Sequence, residues 1–311
     1  MHISVVIPTK NGLEYLPLLL NKLSSQKPCP PDQIFAVDSG STDGSREILH
    51  QAGVKVVSIP PASFNHGLAR NRGISEAARS DIVILLSQDA VPTSDSWLHH
   101  MLAAFSDPEV AGVYCRQVPR PSADPLTRRH VEGWITGEFT ARIQDLSSRA
   151  EFDNLTPFER YLRCNFDNVC SAVRRSIWQE FHFEKTYFAE DLGWSKRVLL
   201  AGYKIAYTPD AVVEHSHNRG AFYMFQRDYA CHRRLFELFG VQTIGRLRDA
   251  IRLGILTAGG DMRFLITQGA FKNITLLLGV PLKTGAQIMG QYFGARAEKQ
   301  QKPLPRFLKG I

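Results

Sequence analysis

Between His2 and Phe105 the chain alternates short apolar runs with stretches of helical spacing, and few folds accept that alternation. HISVVIPT (2–9), QIFAVDSG (33–40), VKVVSIP (54–60) and DIVILLSQDA (81–90) read as strands, the last uncharged between Asp81 and Asp89. The segments between them read as helices. Leucines at 13, 16, 19, 20 and 23 share one helical stripe. STDGSREILHQAG opens on capping residues and stops at Gly53. HGLARNRGISEAA (66–78) and DSWLHHMLAAF (95–105) continue the pattern. Strands that are apolar along their length and joined by helices predict a parallel sheet covered on both faces.

In such sheets ligands bind beyond the carboxyl ends of the strands. Polar clusters stand at three of those ends: Thr9-Lys10-Asn11, Asp38-Ser39-Gly40 and Ser87-Gln88-Asp89. Any one of them is equally well read as an ordinary turn. Three facing one crevice are the pattern of a nucleotide-sized site.

After residue 110 the order changes. VAGVYCRQVP (110–119) is strand-like, 121–165 is polar with weak periodicity, and DNVCSAVRRSIWQEF (167–181) runs from strand into helix. EDLGWSKRVLLAGY (190–203) is helical, and KIAYTPDAVVEHSH (204–217) is expected as a strand, a turn at Pro209-Asp210 and a second extended run. With 311 residues, 44% of them apolar and 22% charged, the chain can bury a sizeable core and is neither disordered nor collagen-like. Cysteines at 29, 115, 164, 170 and 231 form no CxxC pair, which argues against a disulfide framework or a structural zinc site. They read as mostly buried, reduced thiols of a cytoplasmic protein. No basic n-region precedes the first strand, so no secretory leader is expected. No apolar run of about 18 residues occurs, so no membrane span is expected.

Charge is unevenly spread. Residues 1–218 carry 22 Lys and Arg against 25 Asp and Glu, a net of −3, whereas 219–311 carry 15 against 5, a net of +10. A basic tail on a near-neutral body calls for an anionic partner. Within it, 221–240 interleaves aromatics with basic residues, and 264–293 is apolar but broken by Lys272, Gly279, Pro281 and Lys283. Basic amphipathic helices of this kind lie on a membrane surface rather than span it. A helical bundle packed on the body is the other reading. Basic residues interleaved with aliphatic runs, rather than clustered, favour lipid over nucleic acid.

Asp89 ends an apolar strand and has no adjacent carboxylate to compete with it. A hard divalent cation that bridges phosphates is held by one or two carboxylates. His215 or His217, in EHSH, could supply a nitrogen ligand suited to Mn²⁺, or simply end a surface strand. Glu190 and Asp191 open a helix, where the macrodipole alone would explain them. A proton-accepting role needs one of them in a cleft. Asp38 could accept from a base N–H or a ribose hydroxyl, and Arg70 could contact a diphosphate. No Walker A, GxSxG, HExxH or GxGxxG motif occurs, which sets aside P-loop NTPases, α/β-hydrolases, zincins and dinucleotide-binding domains.

The ordered set VVIPTKNG, VDSGSTDGS, FNHGLARNRGI, LLSQDAVP, FAEDLGWSKRVLLAGY and VVEHSH resembles glycosyltransferase family 2 enzymes of the GT-A fold. FNHGLARN, SQDA and VAGVYCRQVPRP point to the bacterial rhamnosyltransferase branch. The resemblance covers about residues 1–240 and implies a Rossmann-like, mostly parallel mixed sheet followed by a basic helical extension. It divides the chain into a nucleotide-sugar half (1–118), an acceptor-binding and catalytic half (119–218) and the C-terminal region (219–311).

It also implies inverting transfer from a nucleotide-diphospho-sugar, dTDP-rhamnose for the branch, with Mg²⁺ or Mn²⁺. Pro8, Thr9, Asn11, Asp38, Arg70, Ser87, Gln88 and Asp89 match the donor-binding positions. Asp89 and His215 match the metal ligands. Asp191, beside Glu190 and followed by Trp194, matches the base of an EDxxW motif. Ser87 stands where the family's first metal-motif Asp usually does. A glycan or lipid-linked acceptor of O-antigen pathways would place the protein on the anionic inner face of the bacterial cytoplasmic membrane. A nucleotidyltransferase would show a Gly-rich basic loop after the first strand, which PTKNGLEYL lacks. A nucleotide-sugar-binding protein without transferase activity stays open because of Ser87.

Overall fold

The computed structural model describes residues 1–269 and 274–308. The first half follows the alternation in the sequence: β1 (Ile3–Thr9), α1 (Leu16–Ser24), β2 (Gln33–Asp38), α2 (Ser45–Gln51), β3 (Lys55–Ser58), α3 (His66–Glu76) and β4 (Ile82–Leu86). These four strands pair in parallel in the order β3-β2-β1-β4. Thr9 lies opposite Asp38, and Val6 opposite Leu85, so the three polar clusters leave the sheet on one side.

Alternation along each strand builds two cores. Val5, Ile7, Ala36 and Ile84 face Leu16, Leu19, Leu23 and Leu49. Val6, Phe35, Val37 and Leu85 face the opposite way, toward Ile74 and Trp194. Each such side chain contributes roughly 1.5–3 kcal/mol on burial. Close approach of α3 to the sheet needs Gly73, where a Cβ would stand 2.2 Å from Val6 Cγ1.

The second half consists of β5 (Val91–Pro92), α4 (Trp97–Leu102), β6 (Val110–Val118), α5 (Pro125–Glu132), β7 (Arg142–Gln144), α6 (Arg149–Asn154), α7 (Pro157–Arg163), β8 (Cys170–Arg174), α8 (Arg175–Glu180), α9 (Glu190–Leu200) and β9 (Lys204–Glu214). β8 enters antiparallel between β4 and β6, β9 runs parallel to β6, and β5 and β7 flank β9 antiparallel. The sheet is mixed, and its nine strands among the described residues all precede residue 215.

Two expectations change here. The segment 204–217 is one strand with a bulge, not two runs: Cys115 pairs with Thr208 but Arg116 with Val212, and the Arg116 Nε donates to the Pro209 carbonyl at 2.9 Å. The weakly patterned 121–165 holds three short helices and β7. Their starts are local, with Asp124, Ser148 and Thr156 side chains capping α5, α6 and α7.

The tail forms α10 (Ala221–Phe239), α11 (Leu247–Thr267) and α12 (Ile274–Lys299). α12 continues through Gly279, Pro281 and Lys283, whereas Lys272 lies outside the described residues. Leu235 and Phe239 of α10, with Val241, join the core beneath the sheet. Along its other side α10 meets α12 at Gly290 and Gly294, where a Cβ would stand 2.6 Å from the Phe225 carbonyl oxygen and 2.3 Å from that of Tyr229. The tail therefore packs on the body through α10. Among the described residues no helix is long and apolar enough to cross a membrane.

Candidate active site

A cleft of about 200 Å³ opens at the carboxyl ends of β1 and β4. Pro8, Thr9, Lys10, Phe64, His66, Arg70, Ser87, Gln88 and Asp89 line it. Gln88 ties the two strand ends together, accepting from the Lys10 N–H at 2.9 Å and donating to its carbonyl at 3.0 Å.

Two of the expected donor-binding residues stand outside this lining. Asp38 is fully buried and accepts from the Gly40 and Ser41 backbone N–H groups at 3.2 Å, so its carboxylate shapes the turn after β2. Asn11, at φ 49°, accepts from the Thr42 N–H at 2.9 Å and joins the β1 end to the same turn.

Arg70 lines the cleft, but its guanidinium is committed. Nη1 pairs with Glu190 at 2.6 Å and Nη2 donates to the Asn168 carbonyl at 3.1 Å. Burial alone would raise the Glu190 pKa, but Arg70, His66 and an Asn168 amide donor at 3.1 Å hold it below its ordinary value. Glu190 is thus a buried, ionised anchor.

Asp191, the next residue, is in the opposite condition. Its carboxylate accepts from the Asn168 N–H at 3.2 Å and from the Leu192 N–H at 2.8 Å. Enclosure, the charge of Glu190 and the nearby Asp167 together push its pKa up to about 8. Two adjacent carboxylates with divergent pKa values are the pattern that separates an anchor from a proton acceptor. Ala189, just before them, adopts the left-handed conformation at φ 51°, a strain of roughly 1–3 kcal/mol stored beside the acid pair.

Asp89, which lines the cleft, and His215 and His217 beside it each offer a ligand atom, all within 4.8 Å of one another. His217 Nε2 lies 3.0 Å from Asp89 and His215 Nε2 lies 3.8 Å from it. Burial would raise the Asp89 pKa, but the His217 hydrogen bond and the charges of His215, His217 and Arg120 hold it at about 2. Burial pushes His215 down to about 4, so its imidazole stays neutral. A carboxylate and two imidazoles fit a divalent cation, and the nitrogen content suits Mn²⁺. Both histidines reach Asp89, so the geometry admits either of them, or both, beside that carboxylate.

A second layer fixes this group. The Gln117 Nε2 donates to Asp167 at 2.8 Å, which leaves its Oε1 to accept from His215 Nδ1 at 3.1 Å. His215 Nε2 is then the free lone pair on the Asp89 side. Arg120 donates to the backbone carbonyls of Asp89 and Ser216 and lies 4.2 Å over the Tyr15 ring. It joins the β4 end to the β9 end. Gln117, Arg120, Asp167 and Asn168 escaped the sequence reading, because each acts on a partner distant in the chain. The VAGVYCRQVPRP run was the available signal for the first two.

Comparison with known proteins agrees with this architecture. The chain is 36% identical over 63% of its length to the O-antigen chain rhamnosyltransferase WbaN of Salmonella anatum, covering 60% of that protein. It is 32% identical over 73% of its length to the O-antigen chain rhamnosyltransferase RfbN of Salmonella typhimurium, covering 70% of it. The chain thus spans 60–70% of these relatives. In fold it is similar to the mannosyltransferase PcManGT of Pyrobaculum calidifontis, solved with GDP-Man and Mn²⁺ (TM-score 0.60, 18% identity, 97% of this chain and 88% of that one). It is also similar to glucosyl-3-phosphoglycerate synthase of Mycobacterium tuberculosis (TM-score 0.54, 18% identity, 77% and 80%). The family model for glycosyl transferase family 2 matches residues 4–182, and with these relatives it shows that the chain belongs to that family.

Proposed function

We propose that this protein is an inverting glycosyltransferase of O-antigen biosynthesis. It moves a sugar, L-rhamnose from dTDP-L-rhamnose, to a hydroxyl of a glycan or lipid-linked acceptor. The observation that carries the reading is the connection of Asp191, with its raised pKa, to the Asp89–His215–His217 group through Asn168, the adjoining Asp167 and Gln117. Its identity to the two Salmonella rhamnosyltransferases supports the choice of sugar.

In this mechanism Asp191 accepts the proton of the acceptor hydroxyl, whose oxygen attacks the anomeric carbon from the face opposite the leaving diphosphate. Arg70 keeps Glu190 ionised, and that charge raises the basicity of Asp191. Mg²⁺ or Mn²⁺, held by Asp89, His215 and His217, would supply neutralisation of the departing diphosphate. Gln117 holds the His215 ring, and Arg120 holds the two strand ends in register. Residues 1–118 serve the donor and 119–218 the acceptor.

The tail, 219–311, rests on the anionic inner face of the cytoplasmic membrane. Leu247, Ile251 and Ile255 of α11, and Ile274, Leu278 and Leu282 of α12, form exposed stripes at four-residue spacing. Arg248 and Arg252 stand beside the first stripe. Anionic vesicles should sediment the wild type at low salt but not Leu278→Asp with Ile255→Asp. Failure of the wild type to sediment would refute membrane contact.

The function is tested by release of nucleoside diphosphate from dTDP-rhamnose, UDP-glucose, UDP-galactose, UDP-GlcNAc and GDP-mannose, with Mg²⁺ or Mn²⁺ and membrane lipid extract. Release from dTDP-rhamnose that disappears in Asp89→Ala is expected. Release from another donor would replace the sugar, and silence across the panel would overturn the transferase reading.

A further inference from the structure

The loop between α10 and α11 and the end of α12 enclose a groove of about 500 Å³. Gln242, Gly245, Arg246, Arg296, Lys299 and Gln300 line it. The lining thus holds three cations and two side-chain amides, and no carboxylate. Packing next to these residues brings the two sides together. Ile244 of the loop and Ala250 of α11 are buried with Ile288 and Tyr292 of α12. Arg296, one turn beyond Tyr292, has its guanidinium 6.0 Å from the centre of that ring. The apolar cluster therefore holds Arg246 on the same groove as Arg296 and Lys299, against the repulsion of their like charges.

No acid of the chain answers this charge. Among the described residues, Arg246, Arg296 and Lys299 make no ion pair within 4 Å. The acids nearest to them in the chain are committed elsewhere, Glu298 to Arg233 at 2.7 Å and Asp249 to Arg248 at 3.6 Å. Arg296 and Lys299 sit in the last turn of α12, where the helix macrodipole favours cations. Arg246 has no such reason to be where it is. It is the N-cap of α11, a helix of 21 residues without a capping side chain, and the positive end of a helix disfavours a cation. Three cations and an uncapped helix start sharing one groove favour an anion there. Two guanidinium forks and an ammonium match the several oxygens of a phosphate.

We propose that this groove binds a phosphate group. The phosphate has two sources, the headgroup of an anionic lipid or a soluble phosphate compound, and two arms of one experiment separate them. What adjoins the groove favours the lipid. Leu247 follows Arg246 directly and opens the exposed stripe of Leu247, Ile251 and Ile255, an apolar surface leading away from the cations. The lipid source rests on the membrane contact proposed above for the tail, whereas the groove itself is independent of the transferase reading.

Two variants of the full chain remove equal charge. The groove variant combines Arg246→Gln, Arg296→Gln and Lys299→Gln. The control combines Arg252→Gln, Arg263→Gln and Lys283→Gln, on α11 and α12 but outside the groove. In the first arm, each protein is titrated with vesicles of phosphatidylcholine containing phosphatidic acid. A lipid headgroup in the groove weakens binding by about 10- to 100-fold in the groove variant and by much less in the control. In the second arm, calorimetry measures inorganic phosphate without lipid. A soluble source gives binding that the groove variant loses and the control keeps, with equal vesicle affinity in the two variants. Phosphate should then also raise the melting temperature of the wild type and the control but not of the groove variant. The three groove cations are exposed, so their removal should not lower the melting temperature in buffer alone; if it does, Arg246→Gln by itself repeats both arms. Equal vesicle losses in the two variants, with phosphate binding absent or unchanged, overturn the groove and leave membrane contact standing. A wild type that binds neither vesicles nor phosphate overturns both.

Discussion

Replacing Asp191 by Asn should cost activity and add stability, and the two effects have one cause. The carboxyl titrates at about 8 in the fold, against about 3.9 in an unfolded chain. The folded state therefore holds this proton more tightly than the unfolded state does. Its stabilising contribution is complete below about pH 4 and is lost as pH rises through 8. Ionised Asp191 next to ionised Glu190 thus burdens the wild type by something on the order of 5 kcal/mol at pH 8. Asn carries no charge at any pH, and its side-chain oxygen still accepts from a backbone N–H.

At about 2.1 cal/mol/K per residue, a chain of this size shifts its melting temperature by about 1.5 °C per kcal/mol. Asp191→Asn should therefore melt about 7–8 °C above the wild type at pH 8, with the gap closing toward pH 4.5. Calorimetric scans of both proteins at pH 4.5, 6, 7 and 8 give the comparison. Turnover in the variant should fall by about 10²–10⁴-fold with nucleotide binding retained. In the wild type, kcat/KM should climb about tenfold per pH unit below 8, since the base must lose its proton to act. A melting gap that is flat across this range, or a variant that turns over normally, would refute the argument.

Three other perturbations follow from the contacts. Arg70→Ala leaves Glu190 buried without its partner and should destabilise by about 3–5 kcal/mol near neutral pH. Because the folded Glu190 pKa is depressed, that deficit should shrink as pH falls below about 4, which urea unfolding at two pH values reads directly. Gln117→Leu frees the His215 ring and should weaken Mn²⁺ binding by about 10- to 100-fold, measured by electron paramagnetic resonance with dTDP present. Gly73→Ala puts a Cβ 2.2 Å from Val6 Cγ1 and should cost about 1–3 kcal/mol of stability by displacing α3 from the sheet, read as a lower melting temperature.

Much of the first half was legible because its signals are local. The apolar runs at 2–9, 33–40, 54–60 and 81–90 became β1 to β4, and the polar clusters emerged at one sheet end. The helix stop at Gly53 and the start at Glu190 were visible in single residues. Pro209-Asp210 misled, since a Pro-Asp pair signals a turn, yet β6 and Arg116 absorb those residues as a bulge within one long strand. The short helices of 121–165 offered too few periods to be read.

The sequence by itself determined the parallel half-sheet, the helix that presents Glu190 and Asp191, and the chemical types available at each strand end. Periodicity and capping depend on residues within a few positions, so they survive in one dimension. The surroundings of those residues were decided only by tertiary structure. Arg70 was expected against a diphosphate, and only the fold shows that α9 brings Glu190 to 2.6 Å from it. Glu190 and Asp191 are indistinguishable as neighbours in a sequence, but the fold ionises one and raises the other, because charge and solvation depend on groups distant in the chain. Asp89, His215 and His217 likewise meet only because β9 returns beside β6, carrying residues 126 and 128 positions away to the end of β4.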